Sequence, residues 1–92
     1  MKVVFTDRAL ADLDEILEYI RTAYPTAFTG FEARMGAIIR RIGQWPESAA
    51  QVADRPGVWV VPLLRYPYKI FYRVTPSAVE ILYIHHAARR EP

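Results

Sequence analysis

The apolar and polar positions of the chain fall into two patterns with different periods. Residues 2–5 form a short apolar run rich in β-branched and aromatic side chains, which is typical of a strand. Apolar residues then recur every three to four positions over residues 10–24 and again over residues 28–45. That period places them on one face of an α-helix. The pattern predicts a strand followed by two amphipathic helices.

Capping residues and prolines set the limits of the predicted helices. Thr6 or Asp7 can cap the first helix, because the side-chain oxygen of either residue can accept a hydrogen bond from an unpaired backbone N–H of the first turn. Pro25 ends it, and Thr26 can cap the second. Because the connecting turn is so short, we expect the helices to form an antiparallel hairpin.

Strands follow a polar loop at residues 46–57. Short apolar or alternating runs cover residues 58–63, 68–74 and 79–86, and three consecutive strands predict an antiparallel meander. Pro62 has no amide proton, so its strand lies at an edge or ends there. The predicted fold is α+β with the order β-α-α-β-β-β, in which a helical hairpin packs on one face of an antiparallel sheet.

Composition supports one folded domain over residues 1–92. Hydrophobic residues make up 52% of the chain, far more than a disordered chain carries. Cysteine is absent, which excludes disulfides and thiolate metal sites. No apolar run approaches the roughly 18 residues of a membrane span, and the N-terminal sequence does not resemble a signal peptide. We therefore expect a cytoplasmic protein with no membrane contact.

Charge is distributed unevenly along the chain. Residues 1–54 carry six Lys/Arg and eight Asp/Glu, which gives −2, whereas residues 55–92 carry six and two, which gives +4. A basic C-terminal part favours an anionic partner, either nucleic acid or an acidic protein surface. The alternative is a solvated surface with a few additional arginines.

The strand at residues 68–74 carries the candidate binding surface. Side chains alternate along a strand, so Lys69, Phe71 and Arg73 share one face. Because this set contains two cations, we expect it on the open side of the sheet, away from the helices. Alternatively, the two cations pair with Glu80 or with acidic helix residues, in surface ion pairs worth about 0–1 kcal/mol.

Three stretches of the chain carry recognisable motifs: FTDRALADL at residues 5–13, RYPYKIFYRV at residues 65–74 and ILYIHHAARR at residues 81–90. Together they resemble toxins of the ParE/RelE superfamily from type II toxin–antitoxin modules. The second resembles the family's tyrosine-basic strand, with Lys69 where arginine is commoner, and the third its leucine-histidine-x-x-arginine ending. The resemblance covers essentially the whole chain.

The resemblance implies a toxin that a cognate antitoxin neutralises, in a toxin–antitoxin hetero-oligomer. RelE-like members cut messenger RNA on the ribosome, whereas ParE-like members poison DNA gyrase and are not nucleases. A third alternative is a member that binds its antitoxin but is not toxic.

Messenger RNA cleavage needs a proton-transfer group and cations around the phosphate. His86 matches the family's C-terminal motif, and Arg65 and Arg73 could supply charge, so these three are the catalytic candidates of a RelE-like enzyme. His85 and His86 are adjacent on a strand and therefore point to opposite faces. Alternatively, His86 is a structural residue at a strand end. No motif for a cofactor or a metal is present.

The small number of lysines favours the ParE-like alternative. Ribosome-dependent nucleases of the family are rich in lysine around the site, whereas this chain has only Lys2 and Lys69. Lys69 and Arg73 on the strand are candidate target-binding residues. By resemblance to the active C-terminal segment of ParE-like toxins, Arg89 and Arg90 are further candidates. The sequence therefore favours a gyrase poison, with the ribosome and messenger RNA as the alternative target.

Overall fold

The two predicted helices pack on one face of a five-stranded sheet. A computed structural model describes residues 1–88. In chain order the elements are β1 (Lys2–Phe5), α1 (Asp7–Ala23), a 3₁₀ turn (Pro25–Ala27), α2 (Phe28–Gln44), β2 (Ala50–Gln51), β3 (Trp59–Pro62), β4 (Tyr68–Val74) and β5 (Ala78–His86). The α+β class is confirmed. In this part of the chain neither helix has the length and apolar composition that spanning a bilayer requires.

The first helix begins as the sequence predicts. The Thr6 hydroxyl accepts a hydrogen bond from the Ala9 amide at 3.1 Å, which satisfies one of the free N–H groups of the first turn. The same hydroxyl donates to the Leu82 carbonyl at 2.8 Å. Thr6 therefore both caps α1 and ties its start to β5.

The prediction that Thr26 caps the second helix is wrong. Thr26 lies inside the 3₁₀ turn, Ala27 occupies the N-cap position, and no side chain caps α2. The turn supplies the acceptors instead, because the Ala27 amide donates to the Tyr24 carbonyl at 2.9 Å and the Phe28 amide to that of Pro25. Pro25 fixes φ near the helical value and starts this turn one residue before the predicted cap.

The sheet is mixed, which corrects the prediction of an antiparallel sheet. Its strand order is β1-β5-β4-β3-β2, and β1 runs parallel to β5 while the other pairs are antiparallel. Hydrophobic periodicity identifies strands but not their neighbours, and β1 fills the edge that the meander leaves open at β5. β2 lies within the predicted polar loop and pairs with Trp59 and Val60. Its two residues are too few to show an alternating pattern.

The core lies between the helices and the sheet. Tyr68, Ile70 and Tyr72 of β4 belong to it, which confirms the predicted alternation, and Phe31 of α2 is fully buried against them. The Tyr72 hydroxyl donates to the Pro46 carbonyl at 2.7 Å, and burial raises the pKa of Tyr72 to about 12. The phenol is therefore protonated at neutral pH.

Two glycines of α2 are expected to respond in opposite directions to alanine. A Cβ on Gly43 would lie 3.0 Å from the Met1 carbonyl oxygen and 3.1 Å from Val3 Cγ2, so β1 would have to move. A Cβ on Gly36 would meet only the flexible end of Arg40, at 3.2 Å.

Gly43→Ala should lower the free energy of unfolding by about 1–3 kcal/mol, the usual cost of overpacking. Gly36→Ala, the matched control, should raise it by up to ~1 kcal/mol through helix propensity. Urea unfolding followed by circular dichroism measures both. Equal effects of the two substitutions would contradict the close approach of β1 to Gly43.

Candidate functional site

The sheet face turned away from the helices, here called the open face, carries the three side chains of β4 that the sequence predicts there. Lys69, Phe71 and Arg73 of β4 lie on it, opposite the core-facing side chains. β5 contains one extra residue at Leu82, because Tyr72 is paired with Ile81 and Phe71 with Tyr83. This bulge turns the side chain of Tyr83 to the open face, although Ile81 faces the core.

Arg73 is exposed and paired. Its Nε donates to Glu80 Oε1 at 2.6 Å, between adjacent strands. The structure thus contains the ion pair that the sequence offered as an alternative to a binding role, and a surface pair of this kind adds about 0–1 kcal/mol. Lys69 is half-buried and lies opposite His85 in the ladder between β4 and β5.

His86 lies on the other face, in a crevice between α1 and the end of β5. Its ring contacts Tyr68 edge to face at 5.3 Å, and its Nδ1 accepts a hydrogen bond from the Ala88 amide at 3.1 Å. A neutral ring in this arrangement carries its proton on Nε2. The crevice has a volume of about 450 Å³ and is lined by Asp12, Glu15, Ile16, Tyr19, Tyr68, Ile84 and His86.

Asp12 joins the crevice to the edge of β5. Its Oδ2 accepts a hydrogen bond from the Ile84 amide at 3.0 Å, at a position that β1 does not reach because its pairing ends at Phe5 and Ile81. The Asp12 carboxylate thus takes the place of the backbone carbonyl that a neighbouring strand would offer to the Ile84 amide. We therefore assign Asp12 a structural contact, which the helix pattern alone did not reveal.

The three catalytic candidates are not brought together. His86 pairs with Tyr68 at one end of β4, whereas Arg73 lies five positions further along that strand, about 17 Å away and on the opposite face. Arg65 is in the turn between β3 and β4, at the His86 end of the sheet, with φ of 78° and an exposed side chain. Arg89 and Arg90 lie outside the described residues.

Two arginines that the sequence analysis did not select cover the open face. The Phe71 and Tyr83 rings stack at 4.7 Å, and the Arg8 guanidinium carbon lies 4.3 Å from the Tyr83 ring centroid. Arg55, from the loop between β2 and β3, lies 5.4 Å from the same centroid and donates to the Tyr83 hydroxyl. A signal was available for Arg8, because a cation in the first turn opposes the helix dipole.

Comparisons with known proteins place this fold among the toxins of toxin–antitoxin modules. A chain of the chromosomal ParDE system of P. aeruginosa superposes with a TM-score of 0.75 at 25% identity, over 94% of this chain and 95% of that one. The isolated E. coli RelE toxin shares the fold with a TM-score of 0.59 at 18% identity, over 98% and 87% of the two chains.

Sequence comparison identifies the family. The model of the ParE toxin of the type II toxin–antitoxin system parDE matches residues 3–91. Toxin RelE2 of Caulobacter vibrioides is 37% identical over 89 residues, which span 96% of this chain and 97% of the relative. The chain belongs to the ParE toxin family of type II toxin–antitoxin systems, within the ParE/RelE superfamily.

Proposed function

We propose that this toxin arrests growth by binding and poisoning DNA gyrase and does not act as a nuclease. The observation that carries the proposal is the separation of His86 from Arg73. His86, on β5, is paired with Tyr68 at the start of β4, whereas Arg73 lies near the end of β4 and on the opposite face. General acid–base catalysis requires the proton-transfer group and the phosphate-binding cations within reach of one reacting bond.

The open face is suited to binding a protein. Its cations lie beside apolar side chains, because Trp59 and Val61 of β3 pack on the core and leave Val60 and Pro62 on the open face. β4 contains one lysine, Lys69, and therefore lacks the row of lysines that would contact successive phosphates of a nucleic acid. The proposed gyrase-binding residues are Lys69 and Arg73 on this face, together with Arg89 and Arg90, which follow β5 in the sequence.

A cognate antitoxin is the proposed neutralising partner, in a cytoplasmic hetero-oligomer. The P. aeruginosa structure is of a ParDE system, and further structures with this fold are complexes of RelE-type toxins with their antitoxins. An antitoxin would cover surface that so small a domain cannot bury by itself.

A ribosome-dependent messenger RNA endonuclease is the second candidate. The name of the Caulobacter relative, Toxin RelE2, favours it, and so does the presence of one histidine, His85, on the open face opposite Lys69. Cleavage through His86 with Arg65 and Arg73 would require these residues to approach one another when the ribosome binds.

Substitution of His86 distinguishes the two mechanisms. His86→Ala should retain growth arrest and antitoxin binding, because a gyrase poison needs no base in the crevice, whereas Arg89→Ala with Arg90→Ala should remove most of the arrest. Colony formation after induction measures arrest, and co-purification measures antitoxin binding. Arg34→Ala with Arg40→Ala, which removes two arginines from α2, is the matched control for the double substitution. A His86→Ala protein that folds, binds antitoxin and permits normal growth would support the nuclease instead.

A further inference from the structure

We propose that Arg8 and Arg55 form a clamp, here called the arginine clamp, that binds carboxylates of an acidic peptide segment of a protein partner. The clamp lies over the stacked pair of Phe71 and Tyr83 on the open face. The binding chemistry of the clamp is the same whether the toxin acts on gyrase or on the ribosome.

The geometry holds both guanidiniums in place before any partner binds. Both lie within 5.4 Å of the Tyr83 centroid, so their carbons are at most about 10 Å apart. Arg55 is fixed further by its hydrogen bond to the Tyr83 hydroxyl. Arginine side chains held by aromatic rings lose less entropy on binding, which makes them effective anion receptors.

The two positive charges of the clamp have no ion-pair partner in the part of the chain that the structure describes. Within residues 1–88, neither Arg8 nor Arg55 forms an ion pair, whereas Arg73 on the same face has Glu80 and Arg21 on α1 has Glu18. Two like charges held close together repel each other, and an anion between them relieves that repulsion. A carboxylate fits the planar donor arrangement of a guanidinium through two parallel hydrogen bonds.

The surroundings of the clamp favour a peptide over a nucleic acid. Phe71 and Tyr83 are 1% and 3% exposed, so their rings are not available for base stacking. The neighbouring positions on the open face are Val60, opposite Phe71, and Pro62, opposite Lys69. An extended segment with both acidic and apolar side chains complements this combination of cations and apolar surface.

Fluorescence anisotropy with defined probes tests the arginine clamp. The purified chain is titrated against a short labelled peptide of alternating glutamate and leucine, its glutamine counterpart, and a labelled single-stranded RNA. We expect the glutamate peptide to bind, and Arg8→Gln with Arg55→Gln to weaken it at least about tenfold, as loss of charge-assisted hydrogen bonds predicts. Arg21→Gln is the matched control, because this exposed arginine also packs on a ring, that of Phe28, at 4.8 Å.

Three outcomes would overturn the proposal. They are equal binding of the glutamate and glutamine peptides, an equal effect of the Arg21 control, and RNA binding that exceeds peptide binding and is lost in the double variant. The last result would assign the clamp to a nucleic acid. Arg8→Gln alone keeps the Arg55–Tyr83 hydrogen bond, so its weaker binding in a protein with unchanged melting temperature distinguishes lost recognition from lost folding.

Discussion

Growth arrest should disappear when Lys69 and Arg73 are both replaced by glutamate. The double substitution changes the charge of the open face by four units, from attraction to repulsion of an anionic partner. Opposed like charges at an interface cost several kcal/mol, so target affinity should fall at least about 100-fold. Colony formation after induction without antitoxin measures the effect.

A matched control separates this local effect from net charge. Arg34→Glu with Arg40→Glu introduces the same charge change on α2, in the helix layer behind the sheet, and should leave arrest intact. If the folded Lys69/Arg73 variant arrests growth like the wild type, the open face is not the target-binding surface.

Phe31→Ala should produce the largest loss of stability. Phe31 is fully buried and packs edge to face on Tyr66 at 5.3 Å and on Tyr68 at 5.8 Å. Removing a buried phenylalanine costs about 3–5 kcal/mol, which is a large part of the stability of a domain this small. The urea midpoint measured by circular dichroism should fall sharply.

Phe28→Ala is the control for this prediction. Phe28 is half-buried at the start of the same helix, with Arg21 over its ring at 4.8 Å, so its removal leaves a smaller cavity. Its urea midpoint should lie well above that of Phe31→Ala. If the two midpoints coincide, Phe31 does not occupy the centre of the core.

The elements that alternate strictly were predictable from the sequence, and those that depend on long-range pairing were not. β4 has its predicted bounds, and Tyr72 faces the core as alternation requires. The parallel pairing of β1 with β5 brings together residues about 76 positions apart, and no local pattern specifies such a partner. The bulge at Leu82 likewise moved Tyr83 to the open face without a signal in the sequence.

The candidate site was predictable only as far as side-chain direction follows from the strand. The sequence predicts that His85 and His86 point to opposite faces, and the structure places His85 against Phe71 and His86 against Tyr68. The sequence could not predict the arginine clamp, because Arg8 reaches the open face from the start of α1 and Arg55 from the loop between β2 and β3. Contacts of that kind depend on the assembled fold.

Induced expression in a bacterium that lacks the antitoxin tests the proposed mechanism most directly. Chromosomal breaks and the SOS response are followed together with bulk messenger RNA decay and translation. A gyrase poison produces breaks and filamentous cells while messages remain intact, which is the result we predict. Rapid, ribosome-dependent cleavage of messages without DNA breaks would contradict it and would make His86 and Arg65 the residues to substitute next.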